Sequence, residues 1–137
     1  MSDKYAGQQF HHNLTHFLQA TVVFGDDGNS VSLGFLPAGA AVIRGGVVVT
    51  TAFNAGTSNV LDIGFRNAVD GTSDDTDEYA TDLALGTAGV IAADELATAA
   101  DAYTASGAEV VATPALTGTA ATAGSGIVWV EYLVDNT

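Results

Sequence analysis

The sequence predicts an all-β fold: an antiparallel β-sandwich of jelly-roll type, with an N-terminal arm and at most one short helix. Three observations predict it. Apolar residues alternate with polar or small ones in several short stretches, the pattern of half-buried strands. Clusters of Gly, Asn and Asp separate these stretches, as turns separate the strands of a sandwich. Two stretches, Ala41–Thr51 and Ile127–Val134, are apolar on both faces, which suits strands that are central or covered by a partner. A length of 137 residues leaves room for one domain, residues 19–137, behind an arm of residues 1–18.

Taken in order, residues 1–18 hold all three histidines (His11, His12 and His16) and show no strand-like alternation. Tyr5, Phe10, Leu14, Phe17 and Leu18 make this arm too apolar to lie free in water, so it is expected to dock on its own domain or on a neighbour. Ala20–Phe24 reads as the first strand. It is expected to form a hairpin through Gly25-Asp26-Asp27-Gly28-Asn29, where Asp-Gly supplies the positive φ of a tight turn. Val31, Leu33 and Phe35 then alternate with Ser32 and Gly34, and Leu36-Pro37-Ala38-Gly39 turns the chain.

In Ala41–Thr51, Ile43, Val47 and Val49 are expected on one face, Val42 and Val48 on the other, with a bulge or bend at Gly45-Gly46. The loop Asn54–Asn59 leads into Val60–Arg66, where Leu61, Ile63 and Phe65 alternate with Asp62, Gly64 and Arg66; this reads as the cleanest hairpin. Val69–Asp77 is an acidic loop and Tyr79–Leu85 a short returning strand. Ala92–Tyr103 fits either a short helix, with Leu96, Ala100 and Tyr103 on one face, or an irregular connection. Ala108–Thr113 is a strand, Pro114–Gly126 a small-residue connection, and Ile127–Val134 the last strand.

Composition narrows function by exclusion. Sixteen acids face three bases, Lys4, Arg44 and Arg66, for a net charge of −13. Nucleic-acid phosphates and anionic membrane surfaces need clustered cations, so neither is an expected partner. Without cysteine there is no disulfide, thiolate nucleophile or Cys-zinc site. The N-terminus lacks the apolar core of a secretory signal. Sixteen glycines and many alanines leave few large side chains for a core. No enzyme is expected: every histidine lies in the arm, away from any Ser-His-Asp arrangement, and no Gly-x-Ser-x-Gly elbow or P-loop occurs.

No cofactor is expected. His12 and His16 are four residues apart, a spacing that on a helix would present two metal ligands, but no third ligand follows. A polar arm meeting a neighbour is the simpler reading. Asp70, Asp74, Asp75 and Asp77 are the calcium candidates, set against a plain solvated loop. Asp26-Asp27 reads as turn chemistry. Arg44 and Arg66 are expected to pair with carboxylates such as Asp62 or Glu131. Trp129 and Tyr132 offer either a sugar-stacking platform or core and subunit-contact residues.

Two stretches carry a resemblance. One runs from the Leu36-Pro37-Ala38-Gly39 turn through the valine strand to Asn54, followed by Thr57-Ser58-Asn59-Val60-Leu61-Asp62-Ile63-Gly64. The other runs from Leu116 through Gly124-Ser125-Gly126 into Val128-Trp129-Val130-Glu131-Tyr132. Together they resemble small virion proteins of tailed bacteriophages, in particular head decoration (cement) proteins. That resemblance implies a β-sandwich, often trimeric, bound to the major capsid protein on the outside of the head after synthesis in the bacterial cytoplasm. On it, Tyr5, Phe10, Leu14, Phe17 and Trp129 are the expected partner-binding residues. Two alternatives stand: a head-fibre or tail subunit contacting the host surface, and a carbohydrate-binding sandwich module.

Overall fold

The computed structural model describes residues 15–134. They form nine strands and one 3-10 turn, Phe24–Asp26, with no α-helix. The strands are β1 His16–Val23, β2 Val31–Leu36, β3 Ala40–Thr51, β4 Ser58–Arg66, β5 Asp75–Ala84, β6 Gly89–Ala92, β7 Tyr103–Thr104, β8 Ala108–Thr117 and β9 Ser125–Val134. One sheet has the order β1-β9-β3-β6, with β7 also on β3, and the other the order β2-β8-β4-β5. All pairings are antiparallel.

The order has a simple origin. With the two-residue β7 set aside, β1 pairs β9, β2 pairs β8, β3 pairs β6 and β4 pairs β5. That is one long hairpin with its tip between β4 and β5, wrapped into two facing sheets: a jelly roll, as expected. Wrapping adds the pairings β3 with β9 and β4 with β8. It also makes β9 and β3 central in one sheet and β8 and β4 central in the other.

Wrapping also overturns two expected hairpins. β1 and β2 lie in different sheets, so residues 24–30 cross between them. Gly28 does take the positive φ, at 76°. The aspartates tie the crossover down: Asp26 accepts the Val23 N–H at 2.9 Å and Asp27 accepts the Leu116 N–H at 2.9 Å. β3 and β4 are likewise in different sheets, and Asn54 and Asn59 brace the link between them. Asn54 Oδ1 accepts the N–H groups of Thr122 and Ala123, while Asn59 exchanges two bonds with the Ala55 backbone.

The core lies between the sheets. Val42, Val47, Val49, Val128 and Val130 face Leu33, Leu61, Ile63, Phe65, Leu83, Val110 and Ala112, all buried. Bulges decide which apolar residues join them. An extra residue at Ile43, between the partners Val42↔Tyr132 and Arg44↔Glu131, flips the facing of β3. Val42 therefore joins Val47 and Val49 inside, and Ile43 turns outward, contrary to the expected grouping. The bulge thus precedes Gly45-Gly46, whose pairing with β9 is regular. Gly46 is needed for close approach instead, since a Cβ there would sit 2.2 Å from the Ile91 carbonyl oxygen. A second bulge between Ser32 and Gly34 sends Phe35 outward and Leu36 inward, breaking the expected alternation.

Boundaries differ as well: β5 begins at Asp75, inside the expected acidic loop, rather than at Tyr79. β1 begins at His16, so His16, Phe17 and Leu18 are paired strand residues. The segment 93–102 is not helical: Glu95 N–H bonds the Tyr79 carbonyl, the Ala102 carbonyl accepts from Val42, and Asp94 accepts the Thr81 N–H. Those tertiary bonds tie the segment to β5 and β3 as an irregular run of turns, the second of the two expected readings, with Thr98 N–H closing a turn on the Glu95 carbonyl. β8 continues through Pro114 to Thr117. Proline is tolerated there because β2 ends opposite Ala112, so the position of its missing N–H faces no ladder partner.

Candidate interaction surface

Cross-strand partners in a sheet point to the same side, so the register defines the outer face of the β1-β9-β3-β6 sheet row by row. One row is Thr21, Ile127, Val48 and Val90. The next is Gln19, Trp129, Gly46 and Ala92. A third is Phe17, Glu131 and Arg44, and a fourth joins Leu133, Ala41 and Tyr103. Phe17, Ile127, Leu133, Val90 and Tyr103 are exposed, Phe17 at 59% and Val90 at 72%. The Phe17 and Trp129 rings lie 6.5 Å apart, centroid to centroid, and tilted, a favourable aromatic geometry.

Among the described residues of these rows, the only charges neutralise each other. Arg44 Nε donates to Glu131 Oε1 at 2.6 Å, and the pair sits directly across the β3–β9 ladder. Glu131 is 92% covered, its side chain 8% exposed, while that of Arg44 is 68% exposed. The face is therefore apolar, aromatic-bearing and without net charge, on a chain of net charge −13.

The outer face of the other sheet is different. Its central rows pair Ser32 with Val111 and Gly64, Asp62 with Thr113, and Arg66 with Glu109, the last continued on β2 by the exposed Phe35. Arg66 grips Glu109 through two bonds, Nε to Oε1 at 2.8 Å and Nη2 to Oε2 at 3.2 Å, and Asn67 Nδ2 adds a third at 3.0 Å. Hydrogen bonding from Arg66, then from Ser32 and Asn67, outweighs the cost of burial and holds the Glu109 carboxyl at about 2. Arg66 thus takes Glu109 rather than Asp62, which accepts the Asp82 N–H instead. Near this face β5 bulges, with residues between Ala80 and Asp75 spanning only Ile63 to Phe65. The bulge lies against Gly64, where a Cβ would sit 2.2 Å from the Asp75 carbonyl oxygen.

The candidate calcium ligands do not converge. Asp70 accepts from the N–H and hydroxyl of Thr72 at 2.9 and 2.7 Å, and these bonds lower its pKa. Asp74 accepts the Asn67 N–H at 2.9 Å. A hydrogen bond between the Asp75 and Asp77 side chains lowers the Asp75 pKa and raises that of Asp77, which burial and the nearby Asp75 charge raise further. Among the described residues no three His, Cys, Asp or Glu side chains gather as a metal site. A small open pocket between Phe65, Ala68, Tyr79, Asp101 and Tyr103 is also lined by Asp70 and Thr72, whose hydroxyl–carboxylate bond closes a local turn, and its lining holds no histidine, cysteine or lysine.

Of the expected partner-binding residues, Phe17 and Trp129 are brought together on the apolar face. Tyr5, Phe10 and Leu14 lie outside the described residues, as does His12. His16 stacks on Tyr132 at 5.4 Å. Trp129 and Tyr132 cannot form one sugar platform, because three residues along a strand put them on opposite faces: Tyr132 packs against the core and Trp129 points out. Sequence reading missed Phe17 as a strand residue and Val90 and Tyr103 as members of the face that carries Trp129. Only the pairing of distant strands joins them.

No protein-family model matches the chain, and no curated protein matches it. Its fold is shared with chains of three phage capsid structures. A chain in the cyanophage Pam1 capsid asymmetric unit aligns with a TM-score of 0.60 at 18% identity, over 88% of this chain and 85% of that one. In the Ralstonia phage GP4 capsid the values are 0.59, 20%, 93% and 86%. In the acid-stable capsid structure of Helicobacter pylori bacteriophage KHP30 they are 0.57, 16%, 90% and 90%.

Proposed function

We propose that this chain is a non-enzymatic structural protein of a bacteriophage virion, a decoration or cement protein on the outside of the head. Its partners are the major capsid protein and further copies of itself, in a homotrimer. One observation carries the reading: the likeness to chains in phage capsid structures runs over nearly the whole length of both partners, so the domain itself is what is shared. The apolar sheet face supports it, because a patch of this kind marks an interaction surface.

Tyr5, Phe10 and Leu14 are assigned to the capsid contact, by packing or strand addition. Phe17 and Trp129 belong to the sheet face. Binding to purified heads that lack the protein tests the assignment. Full-length chain should saturate regular sites on the shell and raise the temperature at which the heads open. A truncation removing residues 1–14 spares β1, which starts at His16, and should fold but bind weakly. Density at tail or fibre tips instead of on the shell would contradict the decoration role and favour a host-contacting subunit.

A further inference from the structure

We propose that the outer face of the β1-β9-β3-β6 sheet is the self-association surface of the chain, turned toward the axis of a homo-oligomer and covered there by a second copy. This deepens the reading above by assigning a partner to that face and rests on it for biological context. The observations come from the face itself.

Extent is the first. Four strands about 4.8 Å apart, over roughly eight residues of about 3.3 Å each, span on the order of 500 Å² in projection. Side-chain relief raises the accessible area toward the roughly 600 Å² per partner at which stable interfaces begin. Shape is the second: a sheet face is covered well by another β-layer at a spacing of about 10 Å, and around a threefold axis a different surface of the adjoining copy supplies one.

Charge decides the occupant. Two chains of net charge −13 repel, and can associate only where no unpaired acid enters the contact. Here Glu131 is already neutralised by Arg44, and the remaining members of the rows are apolar or uncharged. The acids on the outside of the other sheet stay remote. A whole sheet layer of about 10 Å, roughly one Debye length at physiological salt, separates them from the contact.

Val90→Glu and Val69→Glu make a matched test in the full-length protein. Both valines are 72% exposed, so each variant should fold, but only Val90 lies on the face. Native mass spectrometry and sedimentation across a concentration series read the oligomer, and circular dichroism checks the fold. Wild type and Val69→Glu should share one oligomeric mass, while Val90→Glu associates about thirty-fold more weakly, as burying an unpaired charge requires. Phe17→Glu, on the opposite edge of the face, should do the same. A wild type that stays monomeric, or an oligomer unaffected by both face variants, would overturn the proposal. Neither measurement involves heads, so this proposal and the decoration role can fail separately.

Discussion

The two outer faces of the sandwich come from strands of one hairpin, yet they meet their surroundings by opposite means. On the β2-β8-β4-β5 sheet, Glu109 is gripped by Arg66 and Asn67, Asp62 binds the Asp82 backbone, and a bulge of β5 lies against Gly64. That face satisfies its polar groups from within the chain. The β1-β9-β3-β6 face has one ion pair, Arg44–Glu131, set among Phe17, Trp129, Ile127, Leu133 and Val90. It leaves apolar area in water. The first face ties up its polar groups and leaves Phe35 as its exposed aromatic; the second exposes apolar residues across four strands and gains most from a neighbour, because burying apolar area is the main favourable term in association.

The largest effect should come from prying the first face open. Gly64→Val drives a branched side chain into the backbone of Asp75 and Thr76, and should cost about 3 kcal/mol or more in a denaturant melt. Next is Glu109→Ala, which strands a half-buried guanidinium and should cost about 2–3 kcal/mol. The same pair sets an acid limb. Because folding lowers the Glu109 pKa to about 2, its contribution is complete above the unfolded value of about 4.3 and is lost as pH falls from there toward 2. Glu109→Gln should flatten that part of the stability profile; an unchanged slope would remove the pair from the account.

Arg44→Ala should cost less, about 1 kcal/mol, since its side chain is largely solvated, even though Glu131 beneath it is covered. The smallest effect on folding belongs to the apolar face. Phe17→Ser should change monomer stability by no more than about 0.5 kcal/mol, as surface substitutions do. If it instead destabilised the monomer strongly, the face would be part of the folding core and the contrast between the two faces would collapse.

Much of this architecture was legible in the residues. The doubly apolar runs around Val47 and Val130 marked the central strands, and the alternation of Leu61, Ile63 and Phe65 marked β4. What stayed hidden depends on long-range events. One inserted residue, Ile43, inverts the facing of β3, and another bulge inverts β2 at Phe35. Period-two reading has no signal for either. Pro114 read as the end of a strand, because the early end of β2, which makes the proline harmless, lies 83 residues away at Val31. The Asp-Gly turn signal at Asp27-Gly28 was sound locally, yet the strands on either side belong to different sheets. The apolar face was half visible: Phe17 and Trp129 stood out as contact residues, but nothing local joins them to Val90.

Trp129 is the sole tryptophan of the chain and lies in a central strand of that face, so its fluorescence reports directly on whether the face is covered. Acrylamide quenching through a dilution series, beside the oligomer mass at each concentration, is the most direct test. The account predicts a blue-shifted emission and several-fold lower quenching in the associated form, both reverting as copies separate. Equal quenching of oligomer and monomer would contradict it, for Trp129 would then face solvent however many copies had assembled.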